Sequence, residues 1–191
     1  MITNRKEAEL FGAFIHISRL MELSKNVLNT NEYEKLILET IKENPEVLKL
    51  QTEDGKNIGM LACESELFFV VNRCLKDRTC RLQQDKNDRT IGHYLASKQT
   101  TPIYDSNWER QEDIIDLLVR KVLKDNVASI LQDCDGNNVG MLVAKRKSPK
   151  VLALARKNEV AMKQENKRGE TIDSIARDLG LLPQKERTKQ S

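Results

Sequence analysis

The chain has few of the residue types on which most metal sites and catalytic centres depend. Its 191 residues include two histidines, His16 and His93, and four cysteines that show no CxxC or Cys/His spacing. A structural zinc site needs four such ligands close together, and the sequence contains no pattern for one. Phosphate-binding loops of the types GxGxxG and GxxxxGKS/T are absent as well. We therefore expect a protein that is not an enzyme and that holds neither a cofactor nor a metal ion.

Long hydrophobic runs are also missing from the sequence. No apolar stretch approaches the roughly 20 residues that a membrane-spanning helix needs, so we expect no membrane insertion. Residues Met1 to Glu7 are polar, which predicts that there is no secretory signal peptide. With this context the four cysteines are predicted to be reduced, as is usual in the cytoplasm. They are Cys63, Cys74, Cys80 and Cys134.

Aromatic residues make up only 4% of the chain, and neither sign of charge dominates it. The 32 basic and 29 acidic residues give a formal net charge of +3. A dedicated nucleic-acid binder usually concentrates its basic residues on one face, and no such concentration is visible. We therefore do not expect nucleic acid to be the main partner.

The most prominent feature of the sequence is a ten-residue phrase that is present in four copies. The copies read DGKNIGMLAC from Asp54, NDRTIGHYLA from Asn87, DGNNVGMLVA from Asp135 and RGETIDSIAR from Arg168. Their first residues are 33, 48 and 33 residues apart. Recurrence at about 33 residues is typical of stacked structural repeats.

The similarity extends upstream of each phrase, where apolar residues recur in the same register. They lie at i, i+1 and i+4, which predicts one buried stripe of a helix. The first members of these stripes are Ile37, Val70, Leu118 and Val151. Polar residues follow at Asn44, Asp77, Asp125 and Asn158, where we expect the helix to end and a loop to begin. Each unit is thus predicted as a short helix, a tight turn, a second helix and a polar loop.

The repeated phrase resembles the Gly-x-Thr-Pro-Leu-His-x-Ala-Ala phrase of the ankyrin repeat. The copy from Arg89 to Ala96 keeps the threonine and the histidine of that pattern, as Thr90 and His93. By analogy with the family, His93 is expected to bond to nearby backbone. The resemblance covers roughly residues 33 to 180 and implies an all-α, ankyrin-like helical repeat solenoid with N-terminal capping helices.

The copies also depart from the ankyrin pattern. None has the proline, and glycine stands where the family usually has leucine, at Gly59, Gly92 and Gly140. Glycine inside a helix costs about 0.5–1 kcal/mol relative to alanine. These three glycines therefore indicate either a close approach of two helices or frayed first helices.

The repeats predict a simple organisation of the chain. Residues 1–30 are expected to form a capping helix, residues 31–183 the repeat array with units starting near 54, 87, 135 and 168, and residues 184–191 a disordered tail. The array predicts that four equivalent positions are buried at the start of each first helix. These positions are Ile58, Ile91, Val139 and Ile172.

The long spacing between the second and third copies indicates an insertion of about 15 residues, at 97–112. Insertions in solenoids map to loops that often lie on the binding face, so we predict a loop here. It contains Tyr104 and Trp108, which are candidate partner-binding residues because aromatic side chains dominate interface hot spots. The alternative is that both rings fold back and cover the adjoining helices.

A basic cluster follows the third copy of the phrase. Its members are Lys145, Arg146, Lys147 and Lys150. A charge run of this kind is usually a solvated surface. The alternative is that it binds an acidic partner.

The ankyrin resemblance implies a non-catalytic protein–protein interaction module, an adaptor or scaffold that is monomeric and binds another protein. One alternative is a binder of nucleic acid or another anionic surface through residues 145–150, and another is a small enzyme or enzyme inhibitor. The chain also resembles short ankyrin effectors that intracellular bacteria send into host cells. That resemblance implies a location in the cytoplasm, or in the host cytosol for a secreted effector.

Overall fold

The structure is a computed structural model that describes residues 2–26, 30–98 and 108–184, with side chains at 5–26, 30–98 and 113–184. Within these residues no β-strand occurs, and the only bridges are Gln51 with Asn57 and Gln132 with Asn138. The described helices are α1 (Ile2–Ser24), α2 (Asn31–Glu43), a 3-10 helix (Pro45–Lys49), α3 (Ile58–Glu64), α4 (Phe68–Cys74), α5 (Arg78–Leu82), α6 (Ile91–Ser97), α7 (Trp108–Leu123), α8 (Val139–Lys145), α9 (Pro149–Ala155), α10 (Glu159–Lys163) and α11 (Ile172–Asp178). The prediction of an all-α chain is confirmed.

The chain divides into two compact units, Met1–Leu95 and Ala96–Ser191. In the first unit, α1 packs on α2 and α3, and α3 packs on α4. In the second unit, α7 packs on α9, and α8 packs on both α9 and α11. Each unit therefore has a core of its own, built from apolar helix faces.

The four positions predicted to be buried at the start of the first helices behave alike. Each is the first residue of its helix and none exposes any side-chain surface: Ile58, Ile91, Val139 and Ile172. Their shared environment confirms this prediction. It follows that the repeated phrase specifies the same local structure four times.

Left-handed backbone conformations recur at two fixed positions of the repeat. The first position lies in the turn before the first helix and has φ of 77°, 58°, 79° and 71° at Gly55, Asp88, Gly136 and Gly169. The second lies just after the first helix and has φ of 59°, 61° and 73° at Glu66, Lys147 and Gly180. Non-glycine residues rarely adopt such φ values, because the side chain clashes with the backbone. Their recurrence at the same places in successive copies therefore shows that the local backbone conformation repeats.

The predicted polar loops after the second helices are wrong at three places, where short helices begin instead: the 3-10 helix after Asn44, α5 after Asp77 and α10 after Asn158. Asp77 caps α5, because its Oδ1 accepts a hydrogen bond from the backbone N–H of Cys80 at 2.9 Å. Asn158 caps α10 in the same way, and its Oδ1 accepts from the N–H of Ala161 at 3.0 Å. Aspartate and asparagine satisfy the free N–H groups of a first helical turn. The sequence pattern located the end of one helix but not the start of the next.

The predicted loop at 97–112 is also wrong in its last part, because Trp108 to Glu112 are helical. The helix α7 has 16 residues, whereas the helices at the same place in the repeat have 13 in α2 and 7 each in α4 and α9. Glu109, Arg110, Gln111 and Glu112 are good helix formers, which accounts for the extension. Residues 99–107 of the predicted insertion and 185–191 of the predicted tail lie outside the described residues.

The glycines inside two first helices mark close helix approach rather than fraying. A Cβ atom on Gly59 would collide with the side chain of Ile91 in the next first helix. A Cβ atom on Gly140 would collide in the same way with Ile172. Each glycine thus lets the next copy of the phrase pack directly on the one before it.

Candidate interaction surfaces

A buried asparagine ties together the turn and the helices in the first unit. The Oδ1 atom of Asn57 accepts a hydrogen bond from the backbone N–H of Met60 at 3.0 Å. Its side-chain amide donates to the carbonyl of Cys80 at 2.6 Å and to Oε1 of Gln83 at 3.1 Å. The side chain therefore caps α3 and at the same time fixes the end of α5.

The second unit repeats this arrangement atom for atom around Asn138. Its Oδ1 accepts from the N–H of Met141 at 3.0 Å, and its amide donates to the carbonyl of Ala161 at 3.0 Å and to Oε1 of Gln164 at 2.8 Å. Asn57 and Asn138 are both buried. The framework that positions the surface residues is therefore the same in the two units.

The second turn of the first unit carries a compact polar cluster. Asp85 accepts hydrogen bonds through Oδ2 from the hydroxyl of Tyr94 at 2.8 Å and from the guanidinium of Arg89 at 3.0 and 3.1 Å. The Arg89 guanidinium also lies 4.5 Å from the centroid of the Tyr94 ring. Lys56 lies 5.9 Å from that centroid and forms an ion pair with Glu64 at 2.5 Å.

The cluster changes the pKa values of its members in opposite directions. Burial favours the neutral form of Asp85, but hydrogen bonds from the Arg89 backbone, the Tyr94 hydroxyl and the Asn87 backbone outweigh it and lower the pKa. Burial, together with the hydrogen bond to Asp85, raises the pKa of Tyr94. At neutral pH Asp85 is thus a carboxylate and Tyr94 a neutral phenol, which suits structural hydrogen bonding rather than proton transfer.

The second unit has different side chains at the corresponding turn. Asn166 donates to Oδ1 of Asn137 at 3.0 Å and to Oε2 of Glu170 at 2.7 Å. Lys145 donates to the same Asn137 oxygen at 2.8 Å and lies 4.0 Å from Glu170. A mixed network of amides and charges thus replaces the tyrosine cluster.

Two equivalent surface positions carry opposite charges in the two units. Glu64 in the first unit corresponds to Lys145 in the second, and Arg89 corresponds to Glu170, with the same spacing of 81 residues in both cases. Burial lowers the pKa of Arg89, but the hydrogen bond with Asp85 outweighs it and raises the pKa, and a smaller electrostatic attraction to Glu64 adds to this rise. The same backbone therefore presents charge pairs of reversed orientation.

An open groove of about 380 Å³ lies between α2 and α4 in the first unit. Its lining includes Leu38, which is half-buried, and Phe69, which is 68% exposed. Lys35 and Lys42 also line it, one helical turn on either side of Leu38, and both are exposed. The groove is thus an apolar surface bordered by two lysines and by the exposed carboxylate of Glu39.

A buried carboxylate holds one side of this groove in place. Glu34 is 6% exposed, and its Oε1 accepts a hydrogen bond from the backbone N–H of Phe69 at 3.0 Å. Burial raises the pKa of Glu34, although the N–H groups of Phe69 and Val70 partly offset this effect. Because Glu34 caps the start of α4, the backbone at Phe69 is anchored while its ring projects into solvent.

At the corresponding place in the second unit the helix surface is closed. The residues of α7 that correspond to Glu34, Leu38 and Lys42 are all apolar and all buried: Ile115, Val119 and Leu123. Lys150 takes the place of Phe69 and is exposed. The register of the two units is the same, but three of the side chains that line the groove in the first unit are replaced by buried apolar side chains in the second.

A buried ion pair stabilises the closed face of the second unit. Asp116 on α7 is paired with the guanidinium of Arg146, whose side chain is only 6% exposed. Asp116 also accepts hydrogen bonds from the hydroxyl of Ser148 at 2.9 and 3.1 Å. Because Ser148 precedes α9, this contact fixes the turn between α8 and α9.

The predicted basic cluster does not form a single exposed surface. Arg146 is turned inward by its pairing with Asp116, and Lys145 is engaged with Asn137. Lys147 and Lys150 are exposed, and Lys147 occupies the left-handed position after α8. Sequence reasoning missed the burial of Arg146, since the partner of this residue lies 30 positions earlier in the chain.

The predicted aromatic anchors fall at the edge of the described part of the chain. Trp108 is the first residue of α7, and its side chain lies outside the described residues. Tyr104 lies outside them entirely. Their role in partner binding remains a prediction.

The cysteines and His93 have structural surroundings. Cys63, Cys74 and Cys80 are buried, and Cys134 is exposed. A hydrogen bond with Cys80, together with burial, raises the pKa of the Cys74 thiol, so the reactive thiolate form is disfavoured. The Nδ1 atom of His93 accepts from the backbone N–H of Thr90 at 3.1 Å, which confirms its predicted local hydrogen bond.

The described part of the chain has neither a metal-binding group nor a membrane-spanning helix. No group of three or more His, Cys, Asp or Glu side chains there could hold a metal ion. None of the helices there is both long enough and apolar enough to cross a membrane. In comparisons with known proteins, no family model matches the sequence, and no curated protein matches it significantly.

Proposed function

We propose that the chain is a divergent ankyrin-like repeat array that acts as a non-catalytic protein-binding adaptor or scaffold. The observation that carries this proposal is the repetition of the Asn57 hydrogen-bond network at Asn138. Recurrence of a complete set of contacts at a fixed spacing is typical of solenoid repeats, which present extended surfaces to partners. The repeated left-handed turn positions support the same interpretation.

The surface residues support a binding role because they vary while the buried framework repeats. Glu64 and Arg89 in the first unit become Lys145 and Glu170 in the second. Exchanging the two charges of such a pair does not make the repeat more stable. It does change which charges a partner must carry to pair with this surface. The variation is therefore better suited to recognition than to stability.

The inward position of Arg146 favours a protein partner over nucleic acid or another anionic surface. With its guanidinium paired to Asp116, the basic cluster presents three lysines instead of four cations. Each phosphate contact needs a cation that faces the ligand, so the loss weakens this alternative. The protein partner is therefore our first candidate.

Quantitative affinity capture followed by binding measurements tests the proposal. We expect the immobilised chain to retain one defined protein, and expect it from eukaryotic lysate if the chain is an effector that acts in the host cytosol. The purified pair should bind with 1:1 stoichiometry and with a modest salt dependence. Retention of nucleic acid instead, with affinity that falls steeply as salt rises, would contradict the proposal.

The aromatic residues at the start of α7 provide a second test. If Tyr104 and Trp108 anchor the partner, alanine at either position weakens binding by more than about 1 kcal/mol and leaves the melting temperature almost unchanged. If they cover the core instead, stability falls by several kcal/mol while affinity is retained. The second outcome would remove them from the binding surface.

A further inference from the structure

The groove between α2 and α4 of the first unit has the features of a binding site rather than of a packing defect. Phe69 is 68% exposed, which makes it the most exposed large apolar side chain among the described residues. Its backbone is nevertheless held by Glu34, so the ring is presented from a fixed position. A large aromatic ring that is kept in water on an anchored backbone is typical of an interface anchor.

The cations that border the groove indicate the charge of its occupant. Lys35 and Lys42 are seven residues apart on α2, which places them about 10 Å apart along the helix with Leu38 between them. Among the described residues neither lysine forms an ion pair or a side-chain hydrogen bond. Glu39 also lies at the rim, one helical turn from each lysine and on the side away from Leu38, so the lysines stand between this carboxylate and the apolar floor.

We propose that this groove binds an amphipathic helical segment of a partner protein, with a large apolar residue between acidic residues. The apolar side chain contacts Leu38 and Phe69, and the acidic residues, about two turns apart, pair with Lys35 and Lys42. This geometry is the helix-in-groove mode of peptide recognition. The inference rests on the proposed protein-binding function and adds the site and the chemical class of the partner segment.

The second unit supplies an internal comparison that supports the assignment. At the equivalent positions Ile115, Val119 and Leu123 are buried and leave no apolar floor for a ligand. The repeat framework therefore does not require an open groove at this place. The lysines and the exposed phenylalanine are particular to the first unit.

A phage-displayed library of random 16-residue peptides, selected against the full chain, tests the proposal. We expect the selected peptides to contain Asp or Glu on both sides of a Leu, Phe, Ile or Trp. A representative synthetic peptide should lose at least about tenfold in affinity for Phe69→Ala and for the double variant Lys35→Glu/Lys42→Glu. Leu36→Ala is the matched control, since Leu36 is an exposed apolar residue on α2 outside the groove, and we expect it to bind like the original chain.

The variants remain informative because they alter exposed side chains. We expect melting temperatures within about 2 °C of the original protein, since substitutions at exposed positions change stability little. Selection of basic peptides, of peptides unaffected by the groove variants, or of no peptides at all would overturn the groove assignment. Peptides that bind elsewhere would leave the proposed protein-binding function standing, whereas failure of lysate capture would count against that function itself.

Discussion

In the first unit Leu38 lies half-buried between two exposed lysines, whereas its counterpart in the second unit, Val119, is fully buried. Each unit uses a carboxylate on the same helix to hold the following helix, although the two carboxylates stand at neighbouring rather than equivalent positions of the repeat. Glu34 binds the backbone of α4 directly, and Asp116 binds Ser148 ahead of α9. The comparison shows that the repeat framework fixes the backbone, while the side chains decide whether the surface is closed or open.

The largest difference between the units should appear in the stability cost of an alanine substitution at Asp116 and at its counterpart Lys35. Asp116→Ala leaves the buried guanidinium of Arg146 without its partner, so we expect a loss of about 3–5 kcal/mol in the free energy of unfolding. Lys35→Ala changes an exposed side chain and should alter it by no more than about 0.5 kcal/mol. Urea denaturation of both variants measures the contrast. Equal effects at the two positions would mean that the ion pair is not buried in solution.

Substitution of the buried asparagines should instead have the same effect on stability in the two units. Asn57→Ala and Asn138→Ala each remove a helix cap, at a cost of about 1 kcal/mol, and leave a buried carbonyl unpaired, at about 1–3 kcal/mol. We therefore expect each variant to lose about 2–4 kcal/mol in urea denaturation. A cost for one asparagine that is several times smaller than for the other would break the equivalence of the two frameworks.

The first-helix glycines should also respond in the same way in both units. Gly59→Ala and Gly140→Ala introduce a methyl group against the side chains of Ile91 and Ile172, and overpacking of this kind costs about 1–3 kcal/mol. Gly12→Ala in α1 is the control, because nothing lies within 4 Å of the added atom there. That substitution should stabilise the helix by about 0.5–1 kcal/mol. A gain in stability at position 59 or 140 would contradict close packing of successive copies.

The smallest expected effect is the dependence of stability on pH that arises from Glu34. Its counterpart in the second unit, Ile115, does not titrate. The pKa of Glu34 is raised in the folded state, so its favourable contribution is fully present below the unfolded value and is lost as pH rises through the folded value. Glu34→Gln keeps an acceptor oxygen without the charge. We expect the stability of this variant relative to the original chain to rise between pH 4 and pH 7. A relative stability that falls with pH over this range would reverse the sign of the shift.

Part of the fold can be predicted from the sequence because local signals and repetition agree. The phrase, its spacing and the buried positions at Ile58 and Val139 follow from period and composition alone. The short helix α5 was not predicted, because its cap, Asp77, is equally typical of a loop. The ion pair of Arg146 and the open groove at Phe69 depend on contacts with residues about 30 positions away, which a linear pattern does not contain.

The central claim, that four copies of one backbone motif build the chain, can be tested most directly at Asp88. Three copies have glycine at this turn position, and left-handed φ is uncommon for any other residue. Backbone φ angles derived from NMR chemical shifts should be positive at Asp88, and also at Glu66 and Lys147 in the position after the first helix. A negative φ at Asp88 would show that the second copy does not share the turn, and would contradict the repeat.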